Sequence, residues 1–83
     1  MDKGYVIIVR DYKAEICEFI TIAIGKMPDG SKLYYVHTKY GDNYFNEQEV
    51  KANRADLEKE CDELNKVLEK SLNVTSRDKK NRW

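Results

Sequence analysis

Ile16-Cys17-Glu18-Phe19-Ile20-Thr21-Ile22-Ala23-Ile24-Gly25 is the stretch whose reading decides the fold. Ile16, Glu18, Ile20, Ile22 and Ile24 alternate with Cys17, Phe19, Thr21, Ala23 and Gly25, which is the two-residue period of a strand whose successive side chains point to opposite faces. The isoleucine side is the expected core face. Met27-Pro28-Asp29-Gly30 follows, with Pro where φ is fixed and Gly where φ turns positive, so the chain reverses there. Lys32 to Tyr40 alternates again, and Tyr34, Val36 and Tyr40 are expected inward. Tyr40-Gly41-Asp42-Asn43 carries a second turn signal, with Tyr44-Phe45 as a short returning strand. Upstream, Gly4-Tyr5-Val6-Ile7-Ile8-Val9 is a β-branched and aromatic run of the kind that forms a buried strand. Polar Arg10-Asp11-Tyr12-Lys13 turns it into the isoleucine strand. The sum is an antiparallel meander of four strands.

From Asn53 the period changes to that of a helix. Asn53 is a good N-cap, its side chain placed to accept from the Asp56 N–H, and Asp56 lies in the first turn where the dipole favours an acid. Leu57, Cys61, Leu64, Leu68 and Leu72, with Val67 beside them, follow at helical spacing and make one apolar stripe on a charged cylinder. Packing that stripe on a face of the curved sheet gives a two-layer α+β fold, ββββα, a four-stranded meander against one C-terminal amphipathic helix. The other sheet face is then expected to keep Tyr5, Cys17, Phe19, Tyr35 and His37 in water. Residues 1–72 read as the single domain and residues 73–83 as a basic, flexible tail.

Eighty-three residues hold one small core and exclude a two-domain enzyme. Fifteen Lys+Arg balance fifteen Asp+Glu, and 36% of residues are charged, the composition of a soluble domain. The neutral total conceals a segregation: residues 1–72 sum to −3 and residues 73–83 to +3. No run approaches a membrane span, and Met1-Asp2-Lys3-Gly4 does not begin a secretion signal, so a cytoplasmic protein is expected. Cys17 and Cys61 form no CxxC pair and read as reduced thiols.

None of the motifs in the chain specifies chemistry. His37, the only histidine, reads as a solvent-facing strand residue. Cys61 falls in the leucine stripe, where a small buried hydrophobe fits. Cys17, His37 and Cys61 lack the spacing of a zinc site, and Gly25, Gly30 and Gly41 begin no phosphate loop. Asn73-Val74-Thr75 matches an N-glycosylation pattern without a compartment in which to act. No cofactor, metal or catalytic residue is expected, and the chain reads as a non-enzyme.

The aromatic residues carry more. Tyr34, Tyr35, Tyr40 and Tyr44 cluster on adjacent strands, and tyrosine held on a rigid sheet is a favoured interface residue. With the acidic helix residues Glu60, Asp62 and Glu63 they are the candidate protein-binding surface, the acids offering a weak likeness to nucleic acid toward a basic groove. The alternative is a single-stranded nucleic-acid binder in which the same tyrosines stack on bases, while Lys39 and the tail cations Arg77, Lys79, Lys80 and Arg82 neutralise phosphates. The net-negative body favours protein over nucleic acid. A third reading, in which the aromatics only complete the core, stands beside both. A second copy of the chain is a further expected partner, because a short sheet with free edges tends to pair.

The order of the pieces, an apolar strand, an isoleucine-rich strand, Asp29-Gly30, Leu33-Tyr34-Tyr35-Val36, a Gly-containing turn, Asn43-Tyr44-Phe45, Glu49-Val50 and then Asp56 to Asn65, resembles small bacteriophage- and prophage-encoded proteins of uncharacterised role. In these an SH3-like β-meander ends in Glu-Val-Phe-x-Thr and runs into a charged helix ending Leu-Asn. The likeness spans residues 4–66, and Val50-Lys51-Ala52-Asn53 departs from it where the aromatic and threonine would stand. The resemblance implies a protein that occupies the surface of a host protein, a defence nuclease such as a CRISPR effector among them, as a stoichiometric inhibitor.

Overall fold

The structure is a computed structural model; it describes the backbone of residues 1–81 and the side chains of residues 1–71. Strands β1 (Lys3–Arg10), β2 (Lys13–Lys26), β3 (Lys32–Thr38) and β4 (Gly41–Asn46) precede one helix, α1 (Ala55–Asn81). All neighbours are antiparallel, and the sheet order β1-β2-β3-β4 is a plain meander. The ββββα succession is the one its periodicities predict. The expected boundary at Leu72 and the separate tail fall beyond the residues whose side chains are described.

The turns follow local chemistry. Asp11 and Tyr12 both take positive φ, the mirror-image geometry that matches strand twist in a two-residue hairpin. Met27 N–H bonds Ser31 O at 2.8 Å and Gly30 N–H bonds Met27 O at 2.9 Å around the Pro-Asp-Gly reversal. The third reversal sits two residues earlier than its turn signal suggests. Lys39 and Tyr40 form the loop, and Gly41 at φ 103° opens β4, a conformation that favours glycine. Thr38 closes this loop, its hydroxyl donating to Gly41 O at 3.0 Å and accepting from Tyr40 N–H at 3.1 Å. Tyr40 therefore stands in an exposed turn, not inward, and Thr38 is the buried residue at the end of β3.

The core face is the opposite of the expected one on β2. Cys17 and Phe19 are buried, whereas Ile20, Ile22 and Ile24 are exposed. The inner face gathers Val6, Phe19, Tyr34, Val36 and Phe45, with Val50 from the segment after β4 and half-buried Ile8 packed alongside. Period alone places the two sets on opposite sides; the cross-strand partners choose which side is inside. Phe19 faces Gly4, Cys17 faces Val6 and Tyr34 faces Phe45. The isoleucines do not share one face either. A bulge between Thr21 and Ala23 shifts the register, so that Ile20 opposes His37 while Ile24 opposes Tyr34.

After β4 the chain crosses to the far side of β1, where Lys51 bridges Tyr5 with bonds of 2.8 and 3.0 Å in the two directions. This curls the sheet toward a barrel. The crossing needs glycine beneath it, since a Cβ on Gly4 would lie 2.5 Å from Lys51 O. The core is thus closed by the sheet's own curvature and Val50, and α1 does not blanket a sheet face as its stripe suggests. The helix docks on β2 and, to a lesser extent, β1. Leu57 and Cys61 are buried, Leu64, Asn65 and Leu68 are half-buried, and Val67 is exposed. At its N-terminus, Asp56 N–H bonds the Asn53 backbone carbonyl at 3.2 Å, so Asn53 contributes its main chain in place of the expected side-chain cap.

The docking site is set by strand lengths. β3 stops at Thr38, after the Ile20–His37 pair, which leaves the Lys13–Glu18 half of β2 without a strand on that side. Helix α1 and Arg54 just before it supply partners at Ala14 and Ile16. The Asn65 carboxamide accepts from Ala14 N–H at 2.6 Å and donates to Ala14 O at 3.0 Å, the two bonds a neighbouring strand would make. Cys61 Sγ–H also points to Ala14 O, at 3.4 Å, and Arg54 Nη1 donates to Ile16 O at 3.5 Å.

Candidate functional site

The register places Tyr5, Ile7, Ile16, Ile20, Tyr35 and Tyr44 together on the outer face of the sheet. Ile20 is 63% exposed and Tyr44 61%, while Tyr5, Ile7, Ile16 and Tyr35 are half-buried by their neighbours. Tyr35 and Tyr44 are a directly opposed cross-strand pair, with ring centroids 4.6 Å apart and planes tilted by 32°. That geometry is favourable for two aromatic rings and fixes Tyr44 in one orientation on a rigid support. A polar rim adjoins the pair. His37 Nδ1 and Asp42 Oδ1 are 2.5 Å apart, and the Tyr35 hydroxyl donates to Asp42 Oδ2 at 3.4 Å. The Asp42 charge pushes the Tyr35 phenol above its ordinary range, so it stays a donor.

The four candidate tyrosines are therefore divided. Tyr35 and Tyr44 form one surface; Tyr34 is a core residue and offers nothing to a partner. Tyr40 belongs to a separate cluster at the β3–β4 turn. Its hydroxyl donates to Glu15 Oε2 at 2.7 Å, Lys39 Nζ reaches the same oxygen at 2.9 Å, and the Arg10 guanidinium lies 4.3 Å from its ring centroid. The Tyr40 hydrogen bond first, then those of Lys39 and Cys17, hold the Glu15 carboxyl down at about 2. Lys39, a candidate phosphate contact, is thus already partnered.

The acidic helix residues are also split. At about 100° per residue, Glu60 and Glu63 share a flank of α1 while Asp62 falls on the other side of the cylinder. All three are exposed, but they make no single patch. Arg77, Lys79, Lys80 and Arg82 lie outside the residues whose side chains are described.

The cysteines are poorly placed for nucleophilic work. Burial, reinforced by the hydrogen bond to Glu15 Oε2 at 3.3 Å, pushes the Cys17 thiol up to about 11. Burial likewise raises Cys61, with Asp62 adding to it. Both sulfurs are held as neutral thiols, against the thiolate that such chemistry needs. His37, exposed as expected, is hydrogen-bonded to Asp42. Among the described residues no group of His, Cys, Asp and Glu side chains is arranged to hold a metal ion. An open cleft of about 780 Å³ lies where β3 ends beside β2, between Lys3, Glu18, Thr38 and Arg54. No described helix is long and apolar enough to cross a membrane.

Two residues central to the arrangement carry weak sequence signals. Ile20 is hidden among four similar isoleucines, and only its register across from His37 shows that it faces out. Asn65 is more legible, being a polar side chain at an inward angle within a leucine stripe. No protein family, curated protein or solved structure matches this chain.

Proposed function

We propose that this protein is a non-enzymatic binding module that docks another protein on the outer face of its sheet, with Ile20, Tyr35 and Tyr44 as anchors. The observation that carries the reading is the exposure of Ile20 and Tyr44, at 63% and 61%, on a framework that holds both in place. A stacked tyrosine beside a large aliphatic residue, rimmed by His37 and Asp42, has the composition of an interface centre with polar surroundings. The preorganised rings lose little freedom on binding. The neutral thiols of Cys17 and Cys61 support a role without covalent chemistry. Asp42 and Glu18 on the same face, and the pairing of Lys39 with Glu15, favour protein over a phosphate backbone. The resemblance to phage-encoded proteins extends the proposal to its partner and place. The target is a host protein in the cytoplasm, a defence nuclease among them, which the module inhibits by occupying its surface.

An affinity pull-down from bacterial lysate, with and without nuclease, tests this. One stoichiometric protein is expected to survive nuclease treatment and to be lost with Ile20→Asp or Tyr44→Ala. Retention of that protein by the combined variant would refute the outer face as the docking surface. Loss of everything on nuclease treatment would replace the proposal with nucleic-acid binding. That alternative further requires steep salt dependence and loss of binding on deleting residues 73–83.

A further inference from the structure

Three contacts fix which way the backbone groups in the first half of β2 point. Thr21 N–H bonds Asp2 O at 2.7 Å, Tyr5 exchanges both of its backbone bonds with Lys51 on the far edge of β1, and Asn65 takes both backbone groups of Ala14. Hydrogen-bonded and non-hydrogen-bonded pairs alternate along an antiparallel ladder. Tyr5–Glu18 and Ile7–Ile16 are therefore non-hydrogen-bonded pairs, and the N–H and C=O of Ile16 and Glu18 point away from β1. On that side β3 reaches only as far as the Ile20–His37 pair. Asn65 holds Ala14 and Arg54 Nη1 reaches Ile16 O, which leaves Ile16 N–H, Glu18 N–H and Glu18 O without a partner among the described residues.

These three groups lie at the cleft of about 780 Å³ between β2 and the end of β3. Lys3, Lys39 and Arg54 line it against one carboxylate, that of Glu18. Lys39 is neutralised by Glu15, whereas Lys3 and Arg54 enter no ion pair among the described residues, so two free cations outweigh the one acid. A donor and an acceptor left open on one strand residue are the groups that an added extended chain pairs with. At Ala14, four residues away, the planar amide of Asn65 already meets the same pattern.

We infer that the cleft takes the C-terminal end of the partner's polypeptide, its last residues extended against Glu18 and its carboxylate at Arg54. The slot is closed at both ends, by His37 across from Ile20 and by Asn65 across from Ala14. Six residue steps separate these closures, about 20 Å of strand, so a chain end fits where a strand running through does not. A residue set antiparallel to Glu18 exchanges two backbone bonds with it. The same direction carries the terminal carboxylate toward Ile16, where the free N–H and the Arg54 guanidinium both donate. The inference rests on the outer face as a protein-docking surface and adds which part of the partner enters beside Ile20.

Two pools of N-acetylated random hexapeptides, identical except for a free or an amidated C-terminus, test the inference when passed over the immobilised full chain. Retained peptides are read by mass spectrometry. Retention is expected from the free-acid pool and is expected to fall at least about tenfold on amidation, the loss of a charge-assisted contact. Arg54→Gln is expected to lower it alike, and Lys70→Gln, on an exposed part of α1, to leave it unchanged. In ¹⁵N NMR spectra a retained peptide is expected to move the Ile16 and Glu18 amide signals more than that of Ala14. Circular dichroism confirms that each variant is folded, and the two pools compare binding to the wild-type chain without any variant. Equal retention of both pools, retention unchanged in folded Arg54→Gln, or no retention from either pool overturns the inference. Free-acid selectivity beside a failed lysate pull-down would overturn the outer-face reading and leave the cleft standing; the reverse result would overturn the cleft alone.

Discussion

Glu15 shows how one carboxylate gathers three side chains and ties β2 to the β3–β4 loop. It lies on β2, takes a hydrogen bond from Tyr40 and an ion pair from Lys39 in the β3–β4 loop, and accepts from the Cys17 thiol on its own strand. Its carboxyl is lowered from the ordinary 4.5 to about 2, chiefly by the Tyr40 hydroxyl. A group with a depressed folded-state value stabilises the fold above its unfolded value and loses that contribution as pH falls through the folded one. The loss therefore falls between pH 4.5 and about 2. Following the Glu15 carboxyl carbon by NMR across this range is expected to give a midpoint near the lower limit, and Tyr40→Phe is expected to move it upward. An unshifted midpoint in the variant would show that Tyr40 is not the main cause. Of the four tyrosines named for one surface, Tyr34 and Tyr40 stand elsewhere, Tyr34 inward as the alternation of β3 placed it and Tyr40 in an exposed turn against that same alternation. Tyr34 opposes Phe45 in the core, and Tyr40 sits in a loop that closes two residues earlier than the glycine signal implies.

Among the elements, α1 is joined to the sheet by a polar bridge as well as an apolar stripe. Asn65 spans both backbone groups of Ala14, which no strand reaches. Asn65→Ala leaves this partly buried donor and acceptor unpaired and is expected to cost about 1–3 kcal/mol, read as a lower urea midpoint at unchanged slope. Asn65→Asp keeps the acceptor for Ala14 N–H but turns a carboxylate oxygen toward Ala14 O, so it is expected to recover only part of the loss. Equal stability of wild type and Asn65→Ala would mean that Leu57 and Cys61 alone hold the helix. The helix itself was legible from its leucine spacing. Its seat was not, because the gap it fills exists only once β3 has stopped at Thr38.

For the whole molecule, the question is which side of the sheet is inside. Phe19→Ala removes a fully buried ring and is expected to cost about 3–5 kcal/mol, much of the stability of so small a domain. Ile20→Ala, one residue away on the outer face, is expected to change stability by no more than about 0.5 kcal/mol. Thermal or urea unfolding of the two variants checks both values, and a reversed order would restore the isoleucine face as the core. The sequence by itself determined the succession of four strands and a helix, because backbone sterics, the two periods and the turn residues act over a few neighbours. It also determined that β2 must show apolar side chains on both faces. Which face is buried, which tyrosines remain in water and which edge stays open were decided only by the tertiary structure. Those outcomes depend on cross-strand partners far apart in the chain, on the bulge at Ile22 that changes parity, and on the Lys51 crossing that lies against Gly4.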